Sequence, residues 1–197
     1  MALQKNKKMK ILVIDNYDSF TYNLVHYLEE IADQEVDVFR NDKITIEEAR
    51  AYDKIVLSPG PGIPDEAGIL KPLIKELAPT HSIFGVCLGC QAIAEVFGGS
   101  IYNLPKVYHG IATPISVCDR NEMLFNTLPD TFMGGRYHSW VVNEKDLPKE
   151  LNITARDIQG QIMAITHKKY DVRAVQFHPE SILTEHGKQM IKNWLEG

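Results

Sequence analysis

Cys87 and Cys90 stand three apart in the stretch Gly85-Val86-Cys87-Leu88-Gly89-Cys90-Gln91. A C-x-x-C spacing suits a redox couple, half of a metal site, or one nucleophile with an unrelated neighbour. The nucleophile reading takes Gly85 to Gly89 as G-x-C-x-G, the thiol counterpart of the G-x-S-x-G elbow that lifts a serine out of a strand-to-helix junction. The start of the following helix would favour a thiolate and offer spare N–H groups. A small apolar residue at a strand end is the plainer reading, and this stretch alone leaves both open.

A nucleophilic thiol needs a base, and the base needs an orienter. Gln176-Phe177-His178-Pro179-Glu180-Ser181 offers both, with His178 at the end of an apolar strand and Glu180 two residues on, where the side chains can share a side. Taken singly, His178 is equally a capping or core histidine, and Glu180 a solvated carboxylate. Ser58-Pro59-Gly60-Pro61-Gly62 is the third piece. Its backbone is stiff, and the N–H of Gly60 could join that of Leu88 in an oxyanion hole. On its own, such a loop is an ordinary surface turn.

These groups need a scaffold that brings residues 58, 87 and 178 together. Apolar runs at 10–15, 36–39, 54–58 and 82–86 read as buried strands. Helical patterns follow them: from an Asp18 or Ser19 cap to about Glu30, over 45–52 behind Thr45, over 67–77, and over 88–97 before Gly98 and Gly99. The alternation predicts an α/β fold with an open, mostly parallel sheet and helices on both faces. The second half reads as strands at 100–103, 107–117, 131–142, 151–157, 162–167 and 172–177, with a last helix over 184–195. A small antiparallel sheet is therefore expected there. Open sheets of this kind place their sites at the carboxyl ends of the strands, where Ser58, Cys87 and His178 fall.

The chain has 197 residues, 44% hydrophobic and 24% charged, with a net charge of −5. A single domain over 9–197 is expected, after a disordered basic leader at 1–8. No basic stripe suggests nucleic acid, and no apolar run reaches the roughly 20 residues of a membrane helix. Three cysteines suit a reducing cytoplasm better than a disulfide scaffold.

Taken together, GVCLGCQ, SPGPG and QFHPES resemble the three hallmark motifs of the class I, triad-type glutamine amidotransferases, in order and from Met9 to about Leu195. Residues 14–24, IDNYDSFTYNL, and 136–142, RYHSWVV, are similar to the glutaminase subunits that serve chorismate-using synthases. The resemblance implies a flavodoxin-like fold. It also implies Cys87 as nucleophile, His178 as acid and base, and Glu180 as orienter. Gly60, Pro61, Gly62 and Leu88 would form the oxyanion loop, and Gln91, Ser139 and Trp140 would hold L-glutamine. No cofactor is implied in this chain, and Mg²⁺ only on a chorismate-binding partner subunit. VYHGIATPI (107–115) and GKQMIKNWL (187–195) look more like the anthranilate branch than the aminodeoxychorismate branch. Cys90, Trp140 and Ile111 depart from the family's usual His, Leu and Lys. Rival readings are a C-x-x-C redox protein, a metal site, a cysteine hydrolase of peptides or γ-glutamyl compounds, and a non-catalytic scaffold.

Overall fold

The computed structural model describes residues 9–197, so the leader expected at 1–8 lies outside the described residues. The first half alternates as its pattern demands: β1 (Ile11–Asp15), α1 (Thr21–Ala32), β2 (Asp37–Arg40), α2 (Ile46–Ala49), β3 (Lys54–Leu57), α3 (Leu70–Leu77), β4 (Ser82–Val86) and α4 (Leu88–Val96). The second half adds β5 (Ile101–Asn103), β6 (Ile111–Val117), β7 (Thr131–Arg136), β8 (Trp140–Val142), β9 (Leu151–Asp157), β10 (Ile162–His167), β11 (Val172–Val175) and α5 (Gly187–Glu196).

Among the described residues, nine strands form one sheet in the order β2-β1-β3-β4-β11-β10-β9-β6-β7, and β5 pairs with β8 in a separate two-stranded sheet. The first five strands are mutually parallel. Their order is the doubly wound 2-1-3-4-5 pattern, with β11 as its fifth strand. From β11 onward the main sheet continues with antiparallel neighbours.

Period-two alternation gives this sheet two apolar faces. Ile11, Val13, Val56, Phe84 and Val86 share one core with Leu24 and Leu28 of α1 and with Met190, Ile191 and Trp194 of α5. Leu12, Ile14, Ile55, Leu57 and Ile83 share the other with Leu70, Leu73, Ile74 and Leu77 of α3 and with Ala92 and Ile93 of α4. Each fully buried aliphatic or aromatic side chain contributes about 1.5–3 kcal/mol.

Four departures from the sequence patterns lie near the site. The run 131–142 is two strands, because Tyr137, His138 and Ser139 leave the main sheet. Carbonyls 136, 138 and 139 accept from the N–H groups of Gly110, Tyr108 and Leu104 instead. The same exchange delays β6, which begins at Ile111 after Gly110 turns with φ +68°. Helix α1 has no side-chain cap. Asp18 closes a turn onto the Phe20 N–H (2.8 Å), and Asp15 takes the Thr21 hydroxyl (2.9 Å). By contrast, Thr45 caps α2 in a full capping box with Glu48. Helix α5 starts at Gly187, three residues late, since 181–186 turn on themselves and His186 is left-handed (φ 59°). A Cβ at Gly187 would lie 1.9 Å from the Pro179 carbonyl oxygen, so glycine is what lets α5 seat against the His178-Pro179-Glu180 turn.

Candidate active site

The β4–α4 junction is a sharp elbow. Cys87 has φ 52° and ψ −98°, a backbone region that non-glycine residues seldom occupy. Two glycines make it possible. A Cβ at Gly85 would meet the Gly89 backbone at 2.7 Å, and one at Gly89 would meet Leu57 Cβ and its carbonyl oxygen at 2.8 Å. The Cys87 N–H stays in the sheet, donating to the Val175 carbonyl (2.8 Å). The thiol is thus presented at the carboxyl edge while remaining only 5% exposed.

Because β11 pairs with β4 in register Val175 to Val86, the chain leaving β11 runs beside Cys87. His178 and Glu180 come from that exit, each 2% exposed. His178 Nδ1 is 2.8 Å from Glu180 Oε1. The ring's Nε2 and the carboxylate's Oε2 are buried without a hydrogen-bond partner. Burial opposes the imidazolium, yet the neighbouring Cys87 and Glu180 outweigh it and hold His178 well above its usual range. The ring is held by aromatics as well. Tyr137 packs edge-on at 4.8 Å and Phe20 at 5.5 Å, with Phe20 and Tyr137 themselves 4.8 Å apart.

The Ser58–Gly62 loop is tied to the end of β1. Asn16 N–H donates to Ser58 Oγ, and Asn16 Nδ2 to the Ser58 carbonyl, both at 2.8 Å. Asn41 Nδ2 donates to Asn16 Oδ1 and fixes the amide's orientation. Gly60 lies hard against Leu88, where a Cβ would be 2.6 Å from Leu88 Cδ2. Leu88 opens α4, so its N–H has no helical acceptor. The two glycine-loop and elbow residues expected to form an oxyanion hole are therefore neighbours.

A cavity of about 210 Å³ opens at Cys87, lined by Gly60, Pro61 and Gly62 together with Gln91, Ser139 and Trp140. Tyr137 and His138 complete its lining. Every residue singled out from the sequence for catalysis or glutamine binding is at this cavity or within the Cys87–His178–Glu180 and Gly60–Leu88 contacts around it. Gln91 Nε2 donates to the Trp140 carbonyl (3.0 Å) and to Gln176 Oε1 (3.3 Å). Both of its N–H groups are therefore committed. What Gln91 can offer a bound molecule is its Oε1, an acceptor suited to an ammonium or amide N–H.

Behind the cavity, Arg136 is 1% exposed. It pairs through Nη1 with Asp157 (2.6 Å), donates through Nη2 to Gln161 (2.6 Å), and lies 3.6 Å above the Tyr108 ring. Its Nε–H donates to His138 Nε2 (3.0 Å), and His138 Nδ1 bonds the Trp140 carbonyl (3.0 Å). A carbonyl only accepts, so the proton of His138 sits on Nδ1. Burial first, then the Arg136 cation, push His138 down to about 3, and the ring is neutral.

Asn16, Phe20, Tyr137, His138 and Gln176 are site residues that residue-level reading did not single out. RYHSWVV held the signal for two of them. Cys90 is fully buried on α4, and burial, reinforced by Cys87, raises its thiol far above the ordinary range. Such a thiol is a poor partner in thiol–disulfide exchange. Among the described residues, no three His, Cys, Asp or Glu side chains cluster as metal ligands, and no helix is long and apolar enough to cross a membrane.

A family model described as Glutamine amidotransferase class-I matches residues 12–197. The Aminodeoxychorismate/anthranilate synthase component 2 of Bacillus subtilis is 47% identical over 188 residues, covering 94% of this chain and 95% of that one. The Bifunctional protein TrpGD of Thermotoga maritima is 46% identical over 189 residues, covering 94% of this chain but 32% of that protein, so this chain spans about a third of its length. The crystal structure of a glutamine amidotransferase from Thermotoga maritima shares the fold, with a TM-score of 0.76 at 18% identity over 96% of this chain and 82% of that one. Matched along nearly all its length and carrying the elbow, the His-Glu pair and the glycine loop in one place, the chain belongs to the class-I glutamine amidotransferase family.

Proposed function

We propose that this chain is the glutaminase subunit of a chorismate-using synthase, most directly anthranilate synthase. The observation that carries the reading is the buried Cys87–His178–Glu180 group beneath a cavity of about 210 Å³. Cys87 Sγ attacks the side-chain amide carbon of L-glutamine, and its proton passes to His178. The carbonyl oxygen takes the negative charge opposite the N–H groups of Gly60 and Leu88. His178 then protonates the departing nitrogen, and ammonia leaves a glutamyl thioester. Water, deprotonated by His178, attacks that carbon, the C–S bond breaks, and glutamate is released. Glu180 holds the ring and stabilises its cationic form. Backbone groups of Ser139 and Trp140, with Gln91 Oε1, hold the amino-acid end.

Ammonia is mostly protonated at neutral pH and is then no nucleophile. Delivery to a partner through a sealed path avoids that loss. The acceptor is chorismate on a separate synthase subunit, where any Mg²⁺ also belongs, and the complex works in the cytoplasm. A second reading, service to aminodeoxychorismate synthase or to both enzymes, is favoured by the double name of the Bacillus subtilis relative. Co-purification with each candidate synthase, followed by assay of glutamine-dependent product, tests the proposal. A stable complex and product with an anthranilate synthase large subunit are expected; a complex with neither synthase overturns it.

A further inference from the structure

Gln176 accepts from Gln91 Nε2 at the floor of the site. It is fully buried, and it reaches the reacting sulfur: its Nε2 lies 3.5 Å from Cys87 Sγ. We propose that Gln176 is a catalytic residue of the glutaminase reaction, whose side-chain amide donates a hydrogen bond to the Cys87 sulfur whenever that sulfur carries negative charge.

The direction of this bond is set from outside. Swapping the two ends of an amide would turn the donor into an acceptor, so the orientation must be fixed by neighbours. Asp157 fixes Arg136, and the Arg136 Nε–H makes His138 Nε2 an acceptor. His138 Nδ1–H and Gln91 Nε2–H both donate to the Trp140 carbonyl, which can only accept. The Gln91 nitrogen then meets Gln176 as a donor, so the atom of Gln176 it meets is Oε1. Nε2 is left facing the sulfur. Gln91, whose nitrogen is fixed by the Trp140 carbonyl, is thus the positioning residue for this donor. The backbone holds it too, since the Gln176 N–H donates to the Met163 carbonyl (2.8 Å).

The chemistry asks for a donor there twice. Before attack, Cys87 has given its proton to His178 and the sulfur is anionic. During deacylation the C–S bond breaks and its electron pair returns to sulfur. A charge-assisted bond stabilises both states and aims the lone pair at the cavity. The oxyanion hole cannot substitute, because it serves the substrate's oxygen.

This inference rests on the glutaminase reading, and its test is separable from it. Gln176→Met keeps length and burial but has no N–H. Together with the synthase subunit, folded Gln176→Met should lose roughly ten- to a hundredfold in kcat with KM within about threefold, the scale of a bond to a charged group. Alkylation of Cys87 by iodoacetamide at pH 7 should slow by at least about tenfold. Alkylation within twofold of wild type overturns the proposal. A second measurement leaves Gln176 intact, in case Gln176→Met does not fold. In ¹⁵N-labelled protein, Cys87→Ala should shift the Gln176 side-chain amide resonance and hasten its hydrogen exchange; an unmoved resonance overturns the assignment. A wild-type chain that hydrolyses no glutamine with any synthase would overturn the functional reading and leave alkylation and resonance to decide Gln176.

Discussion

His178 Nδ1 and Glu180 Oε1 sit 2.8 Å apart in a pocket that admits almost no solvent to either side chain. The carboxylate's other oxygen has no partner, so His178 is the group through which its charge acts. Glu180→Gln keeps the shape and removes the charge. We expect kcat for glutamine hydrolysis to fall by about 10⁴-fold, with KM changed little, as for the orienting acid of other triads. Steady-state kinetics with the synthase subunit bound would check it, and a loss below threefold would refute the orienting role.

Gly89 touches Leu57 so closely that a single methyl group does not fit. Gly89→Ala places a Cβ 2.8 Å from the Leu57 carbonyl oxygen. Overpacking of this kind costs about 1–3 kcal/mol. Urea denaturation should report that loss, together with slower alkylation of Cys87 as the elbow shifts. Unchanged stability would mean that α4 can slide on β3 without cost.

His138 makes the fold acid-sensitive. Its ordinary value is 6.5, and burial with the Arg136 cation lowers it to about 3 in the folded chain. The unfolded state therefore binds a proton below pH 6.5 that the folded state refuses. Stability is fully present above 6.5 and is lost as pH falls from 6.5 toward 3. Near pH 5.5 the loss from this group is about 1.4 kcal/mol. Urea titrations from pH 7.5 to 5 should show a steeper decline for wild type than for His138→Gln; parallel slopes would contradict the buried neutral ring.

Cys90 and Cys87 share a helix turn but not a task. Cys90→Ser should leave kcat/KM within about twofold and lower stability by about 1–3 kcal/mol, because a hydroxyl enters an apolar site. Cys87→Ser should abolish glutaminase activity. Equal loss from both substitutions would restore the redox pair as the better account.

The site was legible where local backbone chemistry encodes it. Gly85 and Gly89 around Cys87 announce an elbow, because only residues without a Cβ tolerate the approaches to Leu57 and Ile93. His178 and Glu180 announce themselves by following an apolar strand. Gln176 stayed hidden, since its importance depends on β11 lying beside β4, a pairing between residues about 89 apart. His138 and Tyr137 stayed hidden within a run that alternates like a strand. What ends β7 is the competing set of hydrogen bonds from 104–110, and no local signal marks it. Asp18 and Ser19 misled for a related reason. Both are good caps by type, but Asp18 is spent on a turn that brings Phe20 onto the histidine.

The order of strands in the sheet has a consequence for synthesis. Among the described residues β11 is the last strand in sequence, yet it lies fifth of nine, between β4 and β10. Until residues 172–175 emerge, β4 and β10 each present an unpaired edge, and no strand pairing joins the parallel half of the sheet to the antiparallel half. The same final segment delivers Gln176, His178 and Glu180 to a Cys87 translated about ninety residues earlier. On the catalytic roles proposed above, a nascent or truncated chain carries the thiol without its base or its donor, and should not consume glutamine before residues 176–180 emerge.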